Sequence, residues 1–131
     1  MRLLLDTHYV IWLATERHKL RPAELSLIES EDVALLASVI SVWEVRIKWR
    51  KSAVKAIAEG LIQPQVLLDV LEASPIKLAP LTAGDVVADL DPPAANHDPF
   101  DEMMLTHAQQ LGARLLTRDR ELRDHPLAYS V

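Results

Sequence analysis

Short apolar runs, each too brief to form a helix, recur along this chain between longer segments of helical spacing, and no other feature restricts its fold so tightly. Arg2–Leu5, Val33–Ala37 (VALLA), Ile76–Leu81 (IKLAPL) and Ala113–Leu116 are strand candidates, with Leu127–Val131 (LAYSV) a weaker fifth. Runs that are apolar throughout, rather than alternating, belong to strands buried on both faces. That is the habit of parallel sheets covered by helices. The order β-α-α-β-α-α-α-β-α-α-β-(β) therefore predicts an α/β fold: a three-layer α/β/α sandwich with a mainly parallel sheet of four or five strands. The 131 residues fit a single domain over 1–131, with no internal repeat or linker to divide it.

Local signals place the helices. Asp6 or Thr7 caps a helix carrying Tyr9, Val10, Trp12 and Leu13. Pro22 opens a second. Ser38 or Ser41 caps a third that runs through Trp43, Ile47 and Arg50, and Ser41 with Glu44 has the spacing of a capping box. Pro64 opens a helix bearing Val66, Leu67, Val70 and Leu71. Thr82–Leu90 reads as a short helix. Residues 91–99 (DPPAANHDP) are loop, and Phe100–Leu111 is a helix closed by Gly112.

Composition removes several functional classes. There is no cysteine, hence no disulfide framework, thiolate metal site or cysteine nucleophile. The 3 glycines lie far apart, so no phosphate-binding glycine loop can be built from them. The histidines show no zinc spacing. No apolar run approaches the ~20 residues of a membrane span, and MRLLLD reaches an acid too soon to be a signal peptide. A cytoplasmic protein without membrane contact is the expectation.

The formal charge of −5 is unevenly spread. Residues 46–55 (RIKWRKSAVK) hold Arg46, Lys48, Arg50, Lys51 and Lys55 without an acid. Between Lys77 and Arg114 there is no lysine or arginine, yet Asp85, Asp89, Asp91, Asp98, Asp101 and Glu102 occur. The basic stretch reads either as a solvated helix face or as a contact for a nucleic-acid backbone.

Position gives the acids their meaning. Ligands of open parallel sheets bind beyond the carboxyl ends of the strands. Asp6 ends the first strand, and Asp119 lies just past the fourth. Glu44 is early in the helix after the second strand, and Asp98 and Asp101 open the helix leading to the fourth. All five are expected at one rim. Such a cluster repels itself unless a hard divalent cation, Mg²⁺ or Mn²⁺, is bound. One or two such ions suit hydrolysis of a phosphodiester. Each acid also has a purely structural reading: Asp6 as a helix cap, Glu44 as the capping-box partner of Ser41, Asp98 and Asp101 as helix-dipole partners, and Asp119 in an Asx-turn.

The segments LLLDTH, SVISVWEV, NHDPFDEMMLTHAQQ and LLTRD, in this order, resemble the PIN-domain family, and most of all the VapC-type toxins of bacterial toxin–antitoxin pairs. The resemblance implies a PIN-like α/β/α sandwich and a metal-dependent endoribonuclease. It implies Asp6, Glu44, Asp101 and Asp119 as the catalytic, metal-holding acids, and Asp98 as an outer ligand or fifth acid. Thr7 and Thr117 become supporting residues. Arg46, Lys48, Arg50 and Lys51 are candidate RNA contacts. A small antitoxin and a homodimer are the implied partners, with the apolar helices near Trp49 and Leu67 as candidate surfaces. Glu102 departs from the pattern, since many relatives carry a base there. The alternative is a PIN-like module that binds RNA or protein without cutting. A receiver-like phosphotransfer domain is disfavoured because the first strand leads to Asp6-Thr7-His8 without a second acid, and the fourth to Thr117-Arg118-Asp119 without a lysine. His8 likewise disfavours an Asp-x-Asp phosphatase.

Overall fold

The computed structural model describes residues 1–131. Five strands, β1 (Arg2–Leu5), β2 (Ala34–Ser38), β3 (Lys77–Ala79), β4 (Arg114–Leu116) and β5 (Ala128–Tyr129), form one sheet in the order β3-β2-β1-β4-β5. Every pairing is parallel. The sheet is thus wholly parallel, and the weak LAYSV segment supplies its edge. Leu3, Leu4 and Leu5 on the central strand are fully buried, as expected for a strand covered on both faces.

Successive residues of the strands feed two cores. Leu4, Leu36 and Leu115 join α7 (Pro99–Gln110) through Met104, Leu105 and Ala108. Leu5, Ala37 and Leu116 face the other way. They meet Tyr9 and Val10 of α1 (Thr7–Thr15), Ile28 of α2 (Pro22–Ile28) and Val45 of α3 (Val39–Lys51). Ala56 of α4 (Ala53–Ala58) and Leu67 and Leu71 of α5 (Pro64–Glu72) complete that side. The expected three layers are present.

Some local expectations are corrected. Ser38, not Ser41, caps α3, accepting from Ile40 N at 3.0 Å. Ser41 is buried inside the helix and bonds Thr7 instead, so no Ser41–Glu44 capping box forms. The basic stretch is not one helix. It breaks at Ser52, whose hydroxyl caps α4. The helix expected over Thr82–Leu90 ends early, as α6 (Ala83–Val87), although Thr82 and Asp85 do form a capping box. Leu67 is fully buried and offers no contact surface, and the outward apolar side chains of this region are Trp43, Ile47, Val54, Ile57, Val66 and Val70. Gly112 takes φ +62° directly after α7, the left-handed turn that suits glycine. No helix is long and apolar enough to cross a membrane.

Candidate active site

The acids arrive at the carboxyl ends of the central strands because their elements end there. Asp6 follows β1 and caps α1. Its Oδ1 accepts from Thr7 N at 2.7 Å, and its Oδ2 accepts from the Thr117 hydroxyl at 2.6 Å. Thr117 follows β4 and is buried, and its Oγ1 also accepts from Asp119 N at 3.0 Å. One hydroxyl therefore couples the acids that end two adjacent strands. Thr7 performs a similar task on the other flank. Its Oγ1 lies 2.9 Å from Ser41 Oγ and donates to Glu44 Oε1 at 3.5 Å.

Asp98 caps α7 through Oδ1, which accepts from Phe100 N at 2.9 Å and Asp101 N at 3.4 Å. Asp101, in the first turn, accepts from Asn96 Nδ2 at 2.8 Å through Oδ2. The same Asn96 nitrogen donates to Glu121 at 3.3 Å. Asn96 and Glu121 escaped sequence reasoning, because both sit in irregular segments whose paths no periodicity reveals. Asp119 accepts from Glu121 N at 2.9 Å, the expected Asx-turn. The structural roles of these acids do not use up all their oxygens. Both oxygens of Asp6 are anchored and one oxygen of each other acid is, while Glu44 Oε2, Asp98 Oδ2, Asp101 Oδ1 and Asp119 Oδ2 accept no hydrogen bond within the protein.

The crowding has an electrostatic cost. Burial, aided by the charges of Asp6, Asp101 and Asp98 and opposed by Lys48, pushes Glu44 up to about 7. Burial pushes Asp101 up to about 6, with Asp98, Asp119 and Asp6 adding to it and the Asn96 hydrogen bond working against it. These groups resist ionising until positive charge arrives. Asp101, Asp119 and Glu121 each place an oxygen within 4.8 Å of the others. The donors are oxygens only, several are free, and the negative charge exceeds what Lys48 offsets. That set fits a hard divalent cation of the Mg²⁺ or Mn²⁺ kind.

The basic residues of α3 stand apart from this cluster. Lys48 alone is near enough to ease the ionisation of Glu44. Lys48 and Lys51 line a separate hollow with Lys55, while Arg46 and Arg50 are exposed. Trp43 is half exposed and packs its ring on Phe100, 5.1 Å between centroids, beside Glu44 and Asp101 in sequence. Glu102 is exposed.

A second constellation was invisible in the sequence. Arg118, beside Asp119, donates from Nε and Nη2 to Glu24 at 3.0 and 2.5 Å, across 94 residues of chain. Its guanidinium lies 4.4 Å from the Trp12 ring centroid. Burial alone would raise Glu24, but the Arg118 guanidinium and the Arg21 N–H outweigh it and hold this carboxyl below its ordinary range.

The family described as PIN domain matches this chain over residues 3–126. No curated protein matches in sequence. Among solved structures, the fold is similar to one described as VapBC2 from Rickettsia felis bound to a DNA fragment from their promoter. That similarity has a TM-score of 0.66 and 18% identity over 100% of this chain and 98% of the other. It is also similar to a toxin–antitoxin complex from Klebsiella pneumoniae, with a TM-score of 0.60 and 18% identity over 98% and 99% of the two chains.

Proposed function

From the premise that this chain belongs to the PIN-domain family, we propose that it is a divalent-metal-dependent endoribonuclease acting as the toxin of a toxin–antitoxin pair. Residues 1–131 are read as one such domain. The observation that carries the proposal is the arrangement of the acids. Carboxylates from two strand ends and two helix starts converge: Asp6 is held through both oxygens, and Glu44, Asp98, Asp101 and Asp119 are each anchored through one oxygen and open through the other. A helix cap or Asx-turn explains any one of them, but not their meeting.

Asp6, Glu44, Asp101 and Asp119 would hold the ion or ions, with Glu121 close beside Asp101 and Asp119 and with Asp98 at the margin. When bound, Mg²⁺ or Mn²⁺ lowers the pKa of water and offsets charge on a phosphodiester. The chain's own contribution is orientation. Thr117 fixes Asp6 against Asp119, Thr7 steadies Glu44, and Asn96 keeps Asp101 and Glu121 on one donor. Preset ligands of this kind lose little freedom when a cation and substrate arrive. Arg46, Lys48, Arg50 and Lys51 would add non-specific attraction for the RNA backbone.

The partners follow from likeness. The two solved neighbours are described as VapBC2 and as a toxin–antitoxin complex. A small antitoxin, self-association through the exposed apolar side chains of α3 and α4, and a cytoplasmic site of action are the corresponding readings here.

The test is cleavage of cellular RNA by the purified, antitoxin-free chain with Mn²⁺ or Mg²⁺ and with EDTA, beside Asp6→Asn. Metal-dependent cleavage lost in the folded variant is expected. A folded, metal-loaded protein that cuts no RNA would favour the non-catalytic module.

A further inference from the structure

The acidic site shares a wall with a basic hollow that the proposed function has not used. Asp6, His8 and Trp12, with Tyr9, Arg118 and Asp119, border a hollow of about 310 Å³ on the acidic side. Tyr9, Arg118 and Asp119 also border a second hollow, of about 350 Å³, together with Arg21, Arg120 and Arg123. Among its charged side chains the four arginines outnumber the one acid, Asp119.

Arg118 is the fixed post between the two. Glu24, 1% exposed, holds two of its nitrogens, and Lys19 O accepts from Nη2 at 2.9 Å. Its charge is largely spent on Glu24. Arg120 and Arg123 differ, since both are exposed and neither pairs with a carboxylate. Unpaired guanidinium groups around a recess are suited to phosphate, which they grip in a planar, two-pronged fashion. A polyanion leaving the acidic hollow over Arg118 and Asp119 enters this recess next.

We propose that the hollow of Arg21, Arg120 and Arg123 is a subsite for a backbone phosphate of single-stranded RNA, next to the phosphodiester held at the acidic site. The subsite deepens the nuclease reading and rests on it. It moves the main backbone contact from the lysines of α3 to arginines that adjoin the acids. An acidic segment of a protein partner is the competing occupant.

The test has a binding arm and a cleavage arm. In EDTA, a fluorescently labelled single-stranded RNA is titrated against wild type and Arg120→Ala/Arg123→Ala over a series of KCl concentrations. The double variant is expected to bind about tenfold more weakly at low salt, with the slope of log K against log salt shallower by ~0.7 for one lost phosphate contact. Arg120→Lys/Arg123→Lys should keep the slope, and circular dichroism checks that all variants are folded. An unchanged slope in the alanine variant overturns the subsite and assigns the arginines to a protein partner.

In the cleavage arm, with Mn²⁺, the RNA carries one uncharged methylphosphonate beside the cut bond. That change should cost wild type about tenfold and the alanine variant almost nothing. Equal losses in both would overturn the subsite while leaving the nuclease intact. A shallower salt slope without metal-dependent cleavage by either protein would do the reverse.

Discussion

Glu44→Gln should make the metal-free protein more stable at pH 8, although it removes a residue proposed to hold a cation. Burial and neighbouring carboxylates raise Glu44 from 4.5 to about 7. The folded state therefore holds a proton that the unfolded chain releases near 4.5, and stability falls as pH rises between those values. At ~1.4 kcal/mol per pKa step, the full penalty above pH 7 is ~3 kcal/mol. Glu44 is only part-buried, and solvent screening reduces this to ~1–2 kcal/mol. With an unfolding entropy of ~2.1 cal/mol/K per residue, that is a rise in Tm of roughly 4–7 °C. Gln keeps the shape and can still accept from Thr7 Oγ1. The assay is thermal unfolding in EDTA at pH 8 and pH 4.5, followed by Mn²⁺ addition at pH 8. The gain should vanish at pH 4.5, where Glu44 is largely protonated in the folded state. Mn²⁺ should raise the Tm of wild type more than that of the variant. A variant less stable than wild type at pH 8, or a gain of equal size at both pH values, would refute the electrostatic reasoning.

Three further outcomes are expected. Thr117→Val removes the hydroxyl that serves both Asp6 and Asp119 N, so Mn²⁺ affinity should drop ~10–100-fold by calorimetry while the fold survives; an undiminished affinity would show that the hydroxyl does not position the acids. Arg118→Ala strands the buried Glu24 and should cost ~3 kcal/mol in urea unfolding at pH 7, with partial recovery in Arg118→Ala/Glu24→Leu. Because Glu24 is held below its ordinary range, its stabilising share is present above pH 4.5 and lost as pH falls through the lower folded value, so the gap between wild type and Arg118→Ala should narrow in acid. Gly112→Ala forces a side chain into φ +62° and should cost ~1 kcal/mol in the same assay, and a neutral result would mean the turn relaxes.

The sheet was legible because β1, β2 and β4 are unbroken apolar runs, a pattern with few uses other than a strand covered on both faces. Asp6 and Asp119 were legible because one stops its run and the other lies just past its own, at the rim where ligands bind. Glu44 was legible in position but not in company. Its spacing from Ser41 suggested a capping box, whereas α3 starts earlier, at Ser38, and leaves Ser41 facing Thr7 in the interior. Tertiary packing overrode a local signal that either serine could satisfy. Asn96 and Glu121 belong to segments without periodicity, so nothing local announces that one amide bridges two carboxylates. The Glu24–Arg118 pair joins α2 to the turn after β4, and no short-range pattern encodes a contact of that span. The unbroken count of bases in 46–55 drew attention to α3, while Arg118, Arg120 and Arg123 alternate with Asp119 and Glu121 in a segment of no net charge pattern, and Arg21 joins them only on folding.

The central claim is that Asp6, Glu44, Asp101 and Asp119 form one cation site. It is tested most directly by calorimetric titration of Mn²⁺ at pH 7.5 into the wild-type chain, Asp6→Asn and Asp101→Asn. The account predicts saturable binding to wild type, with proton release as Glu44 gives up its proton, and loss of that binding in each folded variant. Binding that persists unchanged in both variants, or no binding to folded wild type, would contradict it.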